Sequence, residues 1–227
     1  MIVQGVKLVG GRVVDGSILT SNLGVWIDAN DAASYPGSGT AITDLSGNGR
    51  TQNLQSAAQF TTLNGVKCFD CSIGSYYILG SSAAPTLPSS GYTYIAWARM
   101  ISSSATWRTL FRSAPNDHAL LIQTGTDNLG FYDNDSAQFI SANYNVSSLA
   151  NVWTQWAVTG DSTSQTFWIN GQSVGSVNYT AAGNSFYYTS LNGQPFGYIA
   201  NLFLYTSKLT KEQIQQNYYG LKGRFGV

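Results

Sequence analysis

Apolar and polar positions along the chain fall into short runs, not into long amphipathic stretches. Runs rich in aromatic and β-branched residues, bounded by Gly, Asn, Asp and Ser, predict strands at Gly24–Ala29, Val66–Cys71, Tyr92–Ile101, Trp107–Ser113, Ala119–Thr124, Leu129–Asp133, Val152–Gly160, Gln165–Asn170, Gln172–Asn178 and Tyr198–Thr206. Short strands at this spacing belong to an all-β sandwich or barrel. Asn170-Gly171 between two of them supplies the pair of positive-φ residues that a two-residue hairpin turn requires. One helix is predicted: Thr210 caps it, Gln213 completes a capping box, Ile214 and Tyr218 share a face, and Gly220 ends it. Residues 1–21 are broken by Gly10-Gly11 and Asp15-Gly16, and read either as an arm that docks on a neighbour or as extra edge strands. Residues 22–227 form the sandwich.

Composition narrows the function. Charged residues are 10% of the chain, against about 25% in an ordinary soluble domain. Small neutral polar groups take their place. Such groups are cheaper to desolvate than charges, which suits an assembly subunit or a sugar binder. Net charge is zero and the basic residues are scattered, so the clustered cations of a nucleic-acid binder are missing. Lys7 and Arg12 interrupt the apolar N-terminal stretch, so no secretory leader is expected and synthesis in a cytoplasm is. No stretch approaches the roughly 20 apolar residues of a spanning helix.

Several chemistries are disfavoured by counting. Cys68 and Cys71 are the only cysteines; on one strand, residues three apart point to opposite faces, so they read as structural thiols and not as a disulfide. His118 is the sole histidine, far from both, and reads as a surface or edge residue. Glycoside hydrolysis needs two positioned carboxyl groups. Glu212 is the single glutamate and lies in the predicted helix, while Asp133 and Asp135 read as turn residues. The expectation is a protein that is not an enzyme.

Taken together, Leu23–Asp31, Asp44-Leu45-Ser46-Gly47-Asn48-Gly49, Tyr92–Trp97, Trp156–Asp161, Phe167–Gly171 and Leu209–Tyr218 carry a resemblance. Over roughly residues 22–226 the chain resembles the concanavalin A-like, laminin G-like lectin/glucanase domain, in the version found in phage and large DNA virus proteins. The resemblance implies an antiparallel two-sheet jelly-roll sandwich with one short C-terminal helix. It also implies a virion structural or accessory protein on a capsid or tail, associating with itself or with other virion proteins. The alternative is a carbohydrate-binding adhesion module for host-surface glycan. Related domains often hold calcium in rim loops, which makes Asp28, Asn30 and Asp31 the first candidate ligands and Asp133-Asn134-Asp135 the second. Aromatics in or near loops are the candidates for stacking on a sugar ring: Tyr35, Trp107, Tyr132, Tyr187 and Tyr188. Trp97, Trp153, Trp156 and Trp168 lie within strand patterns and are assigned to the core or its margins.

Overall fold

A computed structural model describes residues 7–9, 12–14, 18–80, 85–102, 105–114 and 117–227. Its strands, in chain order, are β1 (Lys7–Val9), β2 (Arg12–Val14), β3 (Leu23–Asp28), β4 (Ala41–Ile42), β5 (Gln52–Leu54), β6 (Phe60–Leu63), β7 (Val66–Cys71), β8 (Ile78–Leu79) and β9 (Tyr92–Met100). They continue with β10 (Arg108–Ala114), β11 (His118–Ile122), β12 (Asn128–Asp133), β13 (Gln138–Asn145), β14 (Trp153–Gly160), β15 (Gln165–Ile169), β16 (Gln172–Val177), β17 (Ser185–Thr189) and β18 (Gly197–Tyr205). The helix α1 (Lys211–Leu221) follows. All ten anticipated strands form, with ends shifted by a residue or two.

Two antiparallel eight-stranded sheets make the sandwich. The first runs β13-β12-β11-β10-β17-β8-β5-β4. The second runs β16-β15-β14-β9-β18-β7-β6, with β3 also pairing to β18. Among the described residues, strands β1 and β2 pair with each other, Lys7 opposite Val14. The all-β sandwich with one short C-terminal helix is therefore the fold.

The near-continuous apolar runs of β9 and β18 follow from burial on both faces. Tyr92, Tyr94, Ala96, Ala98 and Met100 point between the sheets and join the main core. Ile95 and Trp97, on the other face of β9, lie in two further clusters beneath α1 and the residues after it. Thr210 caps α1 and Gln213 closes the box. The helix does not stop at Gly220; it runs to Leu221 and tightens into a turn of 3₁₀ helix at Lys222–Arg224. That extra turn brings Phe225 flat against Trp97, with ring centroids 4.2 Å apart and planes 7° from parallel, while Tyr218 stacks on Trp97 at 5.7 Å. Arg224 Nη1 reaches Asp28 Oδ2 at 2.6 Å. On the same side Asn217 Oδ1 accepts from the Leu19 N–H and the Tyr205 hydroxyl. The C-terminal segment thus packs on the outer face of the second sheet over β9 and β18.

The tryptophans behave as expected: Trp97, Trp153, Trp156 and Trp168 are all buried. So are both cysteines, which are unpaired. Cys68 packs under the C-terminal segment and Cys71 in the main core, on opposite faces of β7. Burial raises both thiols, Cys68 to about 12, so neither is a thiolate at neutral pH. Among the described residues, no helix is long and apolar enough to cross a membrane.

Candidate functional site

A cleft of about 140 Å³ opens on the outer face of the first sheet, lined by Trp107, His118, Leu121, Tyr132, Asn134 and Gln194. Strand register builds it. Across β10, β11, β12 and β13, one row runs Arg112, His118, Tyr132, Phe139. Trp107, just before β10, sets its ring against this row, edge-on to Tyr132 at 5.6 Å and tilted on Phe139 at 5.6 Å. Two of the aromatics singled out from sequence, 25 positions apart in the chain, are therefore neighbours around one opening. Both are part-exposed, as a stacking platform must be.

Polar groups line the same opening. Gln194 arrives from the loop between β17 and β18, which is tied to β10 by the Thr109 N–H donating to the Gln194 carbonyl at 3.3 Å. The Thr109 hydroxyl donates to Gln194 Oε1 at 2.6 Å and meets His118 Nδ1 at 2.8 Å. Asn134 sits on the turn after β12. The Asp117 carboxylate fixes that turn, accepting from the Asn134 N–H and from Asn184 Nδ2. Desolvation raises the Asp117 carboxyl above its usual range.

His118 is not the surface or edge residue anticipated. It is 4% exposed, because β11 lies between β10 and β12 and Tyr132 packs edge-on to its ring. Burial, aided by Arg112, pulls its pKa down to about 4, so the imidazole is neutral at physiological pH.

The other sequence candidates lie elsewhere. Tyr35 is not on a binding rim: it is 2% exposed, wedged against Phe60 and Phe69, with its hydroxyl donated to the Gly39 carbonyl. A core aromatic near a turn satisfies its polar tip locally, and sequence alone does not distinguish it from an exposed one. Tyr187 and Tyr188 belong to β17, next to β10, and their side chains lie outside the described residues. Asp133 accepts from Asp135 N, Ser136 N and the Ser136 hydroxyl, the local turn pattern expected of it.

The first calcium candidates are committed to the fold. Asp28 accepts from Asn30 N and pairs with Arg224, Asn30 both donates to and accepts from the Lys67 backbone, and Asp31 Oδ1 accepts from Ala33 N. A cation there would have to displace Arg224, so these residues do not fit a calcium site. Among the described residues, no three His, Cys, Asp or Glu side chains are grouped to hold a metal ion. The Asp44 loop is likewise architectural: its carboxylate gathers Trp26 N, Ser46 N and Arg50 N.

Sequence reasoning missed Thr109 and Gln194, and read His118 as a surface or edge residue. The only available signal was the turn chemistry at Asn192-Gly193, which gives no reason to bring residue 194 to a threonine 85 positions earlier.

Comparison with known proteins agrees with this architecture. A family model described as the concanavalin A-like lectin/glucanases superfamily matches residues 74–215, a span that contains the whole cleft. No curated protein matches by sequence. Among solved structures, Trypanosoma rangeli sialidase in complex with sialic acid matches with a TM-score of 0.64 and 13% identity, over 96% of this chain and 36% of the sialidase. The botulinum neurotoxin serotype D ligand binding domain in complex with N-acetylneuraminic acid matches with a TM-score of 0.63 and 14% identity, over 88% of this chain and 51% of that one. The receptor binding domain of a botulinum neurotoxin C/D mosaic serotype gives 0.62 and 14%, over 89% and 52%. The chain thus spans about a third of the sialidase and about half of each toxin domain. At these identities the likeness is one of fold.

Proposed function

Because the chain belongs to the concanavalin A-like lectin/glucanases superfamily, we propose that it is a glycan-binding module whose binding surface is the cleft at Trp107 and Tyr132. The observation that carries this reading is the convergence of two part-exposed aromatic rings with Asn134, His118 and Gln194 around one opening. A pyranose offers an apolar face bounded by hydroxyls, and a flat ring beside amides and an imidazole matches both halves. That a toxin domain of similar fold is recorded with N-acetylneuraminic acid adds support. A glycan array followed by titration calorimetry tests the reading. Trp107→Ala is expected to weaken binding about tenfold or more. A folded protein that retains no glycan on the array refutes it.

The module is proposed to bind without cleaving. Among the described residues the cleft lining contains no carboxyl group, and Glu212 sits on α1, which packs on the second sheet. Two carboxyl groups about 5 Å or 6.5–9.5 Å apart are what hydrolysis requires. Release of reducing sugar from any bound glycan would overturn this part.

The particle setting belongs to the same proposal. It rests on the sequence resemblance to phage and large DNA virus proteins: the module sits on a capsid or tail, associates with itself or with other virion proteins, and recognises host-surface glycan. Copurification with particles at fixed stoichiometry is expected, and a strict monomer that never enriches with particles refutes this setting.

A further inference from the structure

Thr109 is fully buried, and its hydroxyl stands between two cleft-lining side chains, 2.8 Å from His118 Nδ1 and 2.6 Å from Gln194 Oε1. A hydroxyl has one proton. Because Thr109 donates to Gln194, it must accept from a proton on His118 Nδ1. The polar atoms not used within the relay are then His118 Nε2, an acceptor, and the Gln194 amide nitrogen, a donor, on two side chains that both line the cleft. Turning the Gln194 amide over reverses every bond in the chain at once. His118 Nε2 becomes the donor, and Gln194 Oε1 the acceptor. Either way the relay offers the cleft one donor and one acceptor.

We propose that the Gln194–Thr109–His118 relay makes this cleft select a neutral sugar by gripping two adjacent hydroxyls, and reject a carboxylate as its preferred group. This deepens the glycan-binding reading and rests on it. Adjacent hydroxyls answer the relay in both of its states, since each can give one hydrogen bond and take another. A carboxylate only accepts, so it satisfies one end and faces an unsatisfied acceptor at the other. Two donors require a second proton on His118, which its burial and the neighbouring Arg112 both oppose. Among the described residues, the groups beside the imidazole are Thr109, the edge-on Tyr132 ring and Arg112; the Asp117 carboxylate, one residue away, is turned to Asn134 and Asn184. The relay therefore stays in its one-donor, one-acceptor form above about pH 5. Arg112 lies in the same strand row as His118 and is the cation nearest to it in that row.

Titration calorimetry with methyl glucopyranoside, mannopyranoside and galactopyranoside, their monodeoxy derivatives, and N-acetylneuraminic acid distinguishes the outcomes. The expected result is binding of at least one neutral pyranoside. Deleting either of two adjacent hydroxyls should weaken that binding about tenfold, because a buried partner is left unpaired. Thr109→Val, of similar shape, should weaken it to the same degree. So should Gln194→Ala, which alters a loop and not a strand. Undiminished binding by both variants, with binding lost in Trp107→Ala, overturns the relay and leaves the glycan reading standing. Preference for N-acetylneuraminic acid that disappears in Arg112→Ala also overturns it alone. Absence of binding to any sugar removes both.

Discussion

Gly175 lies so close to Ala142 that a β-carbon built on it would stand 2.2 Å from the Ala142 carbonyl oxygen. Gly175 is on β16 and Ala142 on β13, the outermost strands of the two sheets on this side. The sandwich is pinched there to backbone contact. Gly175→Ala should force the two edges apart and destabilise the protein by about 1–3 kcal/mol, the usual range for overpacking. Urea unfolding checks it; an unchanged midpoint would show that the edges can separate freely.

The hairpin between β15 and β16 turns on Asn170 and Gly171, with φ of 50° and 77°. Ile169 then pairs with Gln172, as a two-residue turn requires. Gly171→Val places a β-branched residue at positive φ and points its Cβ at Gln215 and Tyr218 of α1, both 3.4 Å away. A loss of at least about 1 kcal/mol in stability is expected, read as a lowered melting temperature.

Phe225 fills the space over Trp97 and also touches Trp153 at 5.4 Å. Phe225→Ala should cost about 3 kcal/mol and leave a void above Trp97. Tryptophan emission should move to longer wavelength as water reaches the indole. Sugar affinity should not change, because the cleft is on the other sheet.

His118 gives the stability a pH dependence whose sign is fixed. Its folded pKa, about 4, is below the ordinary value of about 6.5, so the unfolded chain binds more protons between those limits. The His118 contribution to stability should therefore fall as pH drops from about 6.5 towards 4 and level off below, where lost carboxylate contacts such as that of Asp161 take over. Denaturant midpoints across that window test it. In His118→Gln the slope should flatten.

The strands that sequence made legible are those with a continuous or alternating apolar signature, such as Tyr92–Met100 and Trp153–Gly160. Those it missed carry little such signal. Gln138–Asn145 is an exposed edge whose register shifts opposite Leu129 and Gly130, near Asn143 at φ 57°. Ala41–Ile42 and Ile78–Leu79 are two residues each, too short for any period. Ser185–Thr189 is dense in aromatics, yet its neighbours Gly183, Asn184 and Asn192-Gly193 read as loop. Within the site, Trp107 and Tyr132 were legible because rings beside turns suggest stacking. Their partners were not. Nothing local marks Gln194, whose role depends on a loop meeting β10, and His118 was misjudged because burial depends on which strands flank β11.

The joining of β3 to β18, with Asp28 opposite Asn201 and also held by Arg224 from 196 residues away, has a kinetic consequence. β18 is the central partner of both β9 and β7 in the second sheet, so that sheet lacks its middle until residue 205 is available. A chain emerging from the ribosome cannot close its sandwich in stages from the N-terminus. It must leave β3, and the β18-facing edges of β7 and β9, unpaired until residue 205 has been made, although β7 can already pair with β6 and β9 with β14. Folding dominated by such distant pairings runs on the millisecond-to-second scale, and the waiting strands present bare edges meanwhile. Yield of native protein should therefore depend on the concentration of unfinished chains more than on the stability of the finished one.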